Sequence, residues 1–361
     1  MKQILLTLLV VMCIGSHDVK AEQLVTSSGV PFKAPTHYPA FSWDKVPVYM
    51  MFGDHQRLLI DSEVQKIAAE SDFICIEKSH GRKTLGDAAL GLKHENGVFK
   101  KVKPAIKVLG YFNAAYAYSF TRFTEMLTMK RINEHPEMKD YLLTDSKTGE
   151  LVGVRGKLCG YNVLNPDMRA WWSDSVAKVV SESGADGIFI DQMHGFGWLH
   201  AKDKRPAVSE GVADMMRQLK AKIGPDKILL ANNGAGIEAI FSVADAFMFE
   251  HYKPEVTHTK ERLLKDWALM KKISDAGKIC VYRFGATAEP DSPLKKLSKR
   301  GRTEKWAELS KQQLEFYLSL YLIGAEPYSY FQWGWGWELH TGPLEHYPEL
   351  HKPLGKPLGK Y

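Results

Sequence analysis

Short runs dense in β-branched and aromatic residues recur along the chain, each bounded by polar or turn-forming residues. They read VPVYMMFGD from Val46, DFICIEK from Asp72, IKVLGYFNA from Ile106 and DGIFIDQ from Asp186. Four more follow: KILLANN from Lys227, AFMFEHY from Ala246, KICVYRFG from Lys278 and PYSYFQW from Pro327. Between them lie stretches with apolar residues at three-and-four spacing, the mark of an amphipathic helix. These are SEVQKIAAES, PDMRAWWSDSVAKVVSESG, SEGVADMMRQLKAKIG, KERLLKDWALMKKISDAG and TEKWAELSKQQLEFYLSLYLIG. In the second of them Pro166 is placed to open a helix and Gly184 to end it.

Strands that are apolar throughout, separated by helices, imply parallel pairing with both faces covered. An open doubly wound sheet is the competitor, but no Gly-rich phosphate loop follows the first strand. The predicted fold is α/β, a single-domain (β/α)8 TIM barrel over residues 46–340. Residues 22–45 form an N-terminal extension and 341–361 a C-terminal tail; the extension and the last stretch, HKPLGKPLGKY from His351, are expected to be extended or poorly ordered. Two long connections, Tyr118 to Leu164 and Thr287 to Arg302, follow the third and seventh strands. In a barrel of this kind such loops wall the site.

The first 21 residues have a Lys, an apolar run from Ile4 to Ile14 and a small residue at Ala21. That is a signal-peptide pattern, so the expectation is a secreted or periplasmic protein cleaved near Ala21. The apolar run is too short to span a bilayer, and no membrane span is expected. Cys75 and Cys280 sit inside apolar runs and read as small hydrophobes. Nothing has a metal-ligand spacing; no metal and no cofactor is expected. The net charge of +6 is a mild excess, too diffuse in an exported chain to argue for nucleic acid. A monomer acting on a polysaccharide is the expectation.

Strand ends carry the chemistry in a barrel of this type, and here they are polar and aromatic. Asp191 and Glu250 each close an otherwise apolar run, on the fourth and sixth strands, on the same side of the ring. Two carboxyls across a sugar are what glycosidic cleavage needs. The remaining strand-end and loop candidates for substrate binding are His55, Glu77, Lys78, Tyr111, Asn113, Arg155, His194, Trp198, Asn232, Tyr252, Lys253, Tyr282, Arg283, Gln332, Trp333 and Trp335. Glu77 could equally form a structural ion pair with Lys78, and Asp54 could hold His55. Trp333, Trp335 and Trp337 are spaced by Gly, which leaves their faces open for stacking on sugar rings. The basic run SPLKKLSKRGR after the seventh strand, with Arg155, Lys157, Lys253 and Arg283, favours an anionic glycan.

The stretch NPDMRAWWSDSVAKVVSESGADGIFIDQ, followed by the glutamate of FMFEHY, resembles secreted barrel glycoside hydrolases. It is similar to glycoside hydrolase family 168, endo-fucanases on sulfated fucans, and to family 114, polygalactosaminidases. The resemblance implies that Asp191 and Glu250 carry catalysis and that an α-linkage is cut with retention. The basic residues favour the sulfated-fucan side. A family 114-like endo-α-galactosaminidase and a non-catalytic carbohydrate-binding barrel are the alternatives.

Overall fold

The computed structural model describes residues 23–361 apart from 146, 155–157, 196, 198–199, 201, 252–258, 290, 298–301, 356 and 358–361. All eight expected strands form: β1 (Tyr49–Phe52), β2 (Phe73–Ile76), β3 (Lys107–Asn113) and β4 (Gly187–Asp191). They continue as β5 (Ile228–Asn232), β6 (Ala246–His251), β7 (Ile279–Phe284) and β8 (Ser329–Gln332). Each pairs in parallel with the next along the chain. The ring closes where Val48 bridges Phe331 in parallel and the Phe331 amide donates to Pro47 O at 2.8 Å. The fold is a (β/α)8 TIM barrel.

Successive strand residues point to opposite faces, and both faces are dry. Tyr49, Met51, Phe73, Cys75, Leu109, Phe189, Leu230, Met248 and Val281 fill the barrel interior. Their neighbours Ile74, Val108, Ile190, Phe247 and Tyr282 pack outward against the helices. This double burial is why the strands read as continuous apolar runs rather than alternating ones.

The covering helices are α1 (Asp61–Glu70), α2 (Ala88–Val102), α3 (Pro166–Ser183), α4 (Arg205–Ile223), α5 (Lys260–Asp275) and α6 (Glu304–Gly324). Only a short turn of helix, Glu238–Phe241, lies between β5 and β6. In α3 the Asn165 side chain accepts from the Asp167 and Met168 amides, Pro166 occupies the first turn, and Gly184 takes a left-handed φ of 69° at the end. Its Trp172 is fully buried and donates from Nε1 to Asn113 O at 2.9 Å, tying the helix to the mouth of β3.

Helix α2 escapes the three-and-four reading because polar residues occupy its inner face. Glu95 and Asn96 are buried there, and Glu95 Oε1 is bonded to His80 Nε2 at 2.8 Å and to the Leu59 amide at 2.9 Å.

The N-terminal extension is not loose. It has little regular structure, yet Phe32 and Tyr38 are buried at the barrel's N-terminal end, where Phe32 stacks on Tyr328 at 4.6 Å. The start of the C-terminal tail is likewise packed: Thr341, Tyr347 and Leu350 are buried, and the Leu354 amide reaches Asp44 O. Apolar contacts and scattered hydrogen bonds, among them the Ser27 amide to Glu326 and the Thr26 and Ser28 hydroxyls to Asp275, hold these segments in place of a regular ladder. No described helix is long and apolar enough to cross a membrane.

Candidate active site

At the C-terminal ends of the strands, the inward-pointing residues converge on one cavity of about 310 Å³. Met51, Lys78, Tyr111, Tyr116, Tyr118, Phe189, Asp191, Gln192, Asn232, Glu250 and Trp337 line it. The volume is within the range of sites that take a small ligand or one unit of a larger one.

Asn232 is the centre of the polar floor. Its Nδ2 donates to Asp191 Oδ1 at 3.0 Å and to Glu250 Oε2 at 2.6 Å. Asp191 also accepts from the Tyr111 hydroxyl at 2.7 Å and from the Gln192 amide at 2.8 Å. Three donors from three segments therefore hold that carboxylate in one orientation. Glu250 is oriented from its other end, where its amide donates to Asn233 Oδ1 at 3.1 Å.

The two carboxyls sit in unlike surroundings. Burial, reinforced by the Asp191 charge, pushes Glu250 up to about 7, against the opposing pull of Asn232, Arg283 and Lys78. Lys78 forms an ion pair with Glu77, and its ammonium lies 4.6 Å from the centre of the Tyr111 ring. Burial lowers the Lys78 pKa, while Asp191 and Glu250 act to raise it.

The backbone turns sharply beneath this site. Of the non-glycine residues with positive φ, three stand at the strand ends around this site: Lys78 after Glu77, Gln192 after Asp191 and Asn233 after Asn232. Lys and Gln rarely adopt this conformation, and such outliers gather at functional sites. Gly53 serves a related need, since a Cβ there would lie 2.7 Å from Glu77 O.

Several sequence expectations are corrected. Tyr282 does not reach the cavity: it alternates with Arg283 and points outward, buried against Phe249 and Phe284. Trp333 and Trp335 are 6% and 3% exposed; Trp333 packs on Tyr317 and Phe331, so neither ring offers a face to a sugar. Trp337 takes that place. The chain after β8 crosses the mouth, where the Gly53 amide donates to Trp337 O at 3.1 Å and the Leu339 amide to Gly53 O at 2.8 Å.

Arg283 is inward but 1% exposed, with its guanidinium 4.2 Å from the centre of the Trp337 ring and donating to Gly336 O at 3.0 Å. It cannot grip a substituent on a ligand. Burial lowers its pKa to about 10, which leaves it a cation near Glu250.

Asn113 and Gln332 are buried structural groups outside the cavity lining. The first accepts from the Ala115 and Tyr116 amides, and the second donates to Met51 O at 3.4 Å. His55 and the exposed His194 also lie outside the lining. Asp54 turns to the Gln56 amide and Arg57 rather than to His55. Arg155, Lys157, Trp198, Tyr252 and Lys253 lie outside the described residues. Of the two long connections, the first contributes Tyr118, whereas no described residue of the second lines the cavity.

The sequence itself decides the family. Residues 100–361, from the end of α2 through the tail, match the model of hypothetical glycosyl hydrolase family 15. The protein belongs to that family. No curated protein matches the chain.

Hypothetical glycosyl hydrolase family 15 thus supplies the reaction class, glycoside hydrolysis, for a barrel whose mouth holds a carboxyl pair. Among solved structures the chain is similar to the glycoside hydrolase domain of PelA from Pseudomonas aeruginosa, at 12% identity and TM-score 0.49 over 76% of this chain and 90% of that one. It is also similar to Ega3 of Aspergillus fumigatus in complex with galactosamine, at 12% identity and TM-score 0.49 over 87% and 98%. An α-amylase from Geobacillus thermoleovorans complexed with acarbose aligns at 15% identity and TM-score 0.47 over 89% and 76%.

In this barrel, Met51, Tyr116, Tyr118 and Phe189 were not among the sequence candidates, whereas Trp337 was one of the three Gly-spaced rings. Strand alternation is the signal for two of them: Phe189 lies two residues before Asp191, and Met51 two before Gly53. Tyr116 and Tyr118 lie past the end of β3, beyond a bend at Ala114 and Ala115 that breaks its alternation, and their hydroxyls meet at 3.0 Å.

Proposed function

We propose that the protein is an endo-acting, retaining glycoside hydrolase that cleaves an α-linked, anionic polysaccharide of the sulfated-fucan type. The observation that carries the reading is the sharing of one Asn232 nitrogen by Asp191 and Glu250. Those two oxygens can be no farther apart than the sum of their distances to it. That bound is shorter than the roughly 6.5–9.5 Å by which inverting enzymes separate their carboxyls, and near the roughly 5–5.5 Å of retaining ones. It also argues against a purely sugar-binding barrel, which has no need of a closely coupled pair.

In the proposed cycle Asp191, held by Tyr111, Asn232 and the Gln192 amide, attacks the anomeric carbon. Glu250, protonated below about pH 7, gives its proton to the departing glycosidic oxygen. The C–O bond breaks as the Asp191 ester forms. Glu250, now ionised, takes a proton from water as that water attacks the ester, and both carboxyls return to their starting states. Trp337 and the Tyr111–Tyr116–Tyr118 group supply ring faces and hydroxyls for the sugar.

The anionic preference rests on Lys78 in the cavity and on the exposed Lys295 and Lys296 after β7. It resembles the family 168 pattern more than the family 114 one. A digestion panel of sulfated fucans, carrageenans, neutral glycans and a galactosamine polymer tests the reading, with wild type beside Asp191→Asn and Glu250→Gln. Oligosaccharides from a sulfated fucan, lost in both variants, are the expected result. Cleavage of the galactosamine polymer alone would keep the carboxyl pair and sink the charge argument. Activity surviving both substitutions would overturn the assignment.

A further inference from the structure

Far from the cavity, Glu70, His346 and His351 bring one ligand atom each into a group whose members all lie within 4.8 Å of one another. We propose that these three side chains bind a divalent transition-metal ion, zinc by chemical preference, which clips the C-terminal segment to α1.

Two imidazoles and a carboxylate, with water completing a tetrahedron, are a donor set suited to zinc. Calcium and magnesium prefer oxygen donors throughout and fit poorly. The present arrangement is close to a coordination shell, with one His–carboxylate contact already made. His351 Nε2 lies 3.1 Å from Glu70 Oε2, while the His346 and His351 rings are nearly parallel, 5.5 Å apart at 20°. Both imidazoles are exposed, so an ion can reach them from solvent.

The supporting backbone is fixed independently of any metal. Glu70 ends α1, and His351 ends the short 3-10 turn Pro348–His351. Between the two histidines, Tyr347 meets Ser310 Oγ of α6 at 3.0 Å, and the Val46 amide donates to Leu350 O at 3.3 Å. Lys66 of α1 donates to Leu344 O at 2.5 Å. The donors are thus held in place before an ion arrives, which lowers the ordering cost of binding.

Position indicates the purpose. Val46 precedes β1 and Glu70 precedes β2, so the cluster is at the N-terminal end of the strands, opposite Asp191 and Glu250. It joins the helix after β1 to the segment after β8, across the seam where the ring closes through Val48 and Phe331. An ion there stabilises closure of the barrel and takes no part in the chemistry.

The test uses the tag-free full chain, stripped with chelator and dialysed, titrated with zinc chloride by calorimetry, with cobalt(II) as the optical probe. One equivalent of zinc is expected, with affinity reduced at least tenfold in His346→Ala and in His351→Ala. Cobalt should show visible d–d absorption of a tetrahedral site, lost in both variants. Saturating zinc should raise the wild-type Tm by several degrees and leave the variants' Tm unchanged. Metal-free Tm values matching wild type confirm that the variants fold. Absence of stoichiometric zinc binding, or binding that both histidine variants retain, would overturn the proposal.

Discussion

Asp191 and Glu250 are joined through the side chain of Asn232, whose amide nitrogen donates to both carboxylates at 3.0 and 2.6 Å. The two groups come from β4 and β6, and Asn232 ends the strand between them. A parallel sheet places neighbouring strand ends side by side, so the middle strand supplies the bridge.

Replacing Asn232 with Ala should lower kcat by on the order of 100-fold, as expected when acid–base geometry is lost. The same hydrogen bond lowers the Glu250 pKa, so the variant's basic limb should move to higher pH. A normal pH profile with a reduced rate would mean that Asn232 acts only as packing.

Glu250 must carry its proton in the first step, and burial with the Asp191 charge holds its pKa at about 7. Activity should therefore fall about tenfold per pH unit above that value. Stability follows the same linkage with opposite benefit. Because the folded pKa lies above the unfolded one, burial of Glu250 costs nothing below the unfolded pKa, and its cost is complete above pH 7. Thermal melts should show Glu250→Gln gaining on wild type as pH rises from 4 to 8. A constant difference across that range would contradict the assignment.

Trp337 and Trp333 should separate function from stability. Trp337→Ala removes a ring from the cavity wall and should raise KM at least tenfold in glycan kinetics with a cooperative melt retained. Trp333→Ala opens a hole beside Tyr317 and Phe331 and should cost about 3–5 kcal/mol in denaturant unfolding.

Tyr111→Phe tests the hold on Asp191. Burial pushes the phenol well above its usual range, so it donates throughout the working pH. Losing that bond should lower kcat about tenfold with little change in KM. A change confined to KM would mean that the hydroxyl binds the sugar rather than orienting Asp191.

Much of this was readable along the chain. The eight apolar runs named the strands because burial on both faces demands apolar residues at every position. Asp191 and Glu250 were visible because a carboxylate at the end of such a run must leave the dry interior. Helix α2 was harder to see, since Glu95 and Asn96 on its inner face disguised its period. The N-terminal extension lacked any periodic signal, yet its aromatic residues found Tyr328 and the barrel's N-terminal end.

Strand order, the carboxyl pair and the place of Asn232 at a strand end follow from residue pattern, because local burial and period act over a few neighbouring positions; that Asn232 bridges the two carboxylates does not. Which strand-end residue faces inward is decided by barrel geometry: it separates Arg283 from Tyr282 and sends Trp333 into the helix layer. The long closing segment then brings Trp337 over the mouth and the tail histidines to α1. Those contacts join residues far apart in the chain, and only the closed ring brings them together.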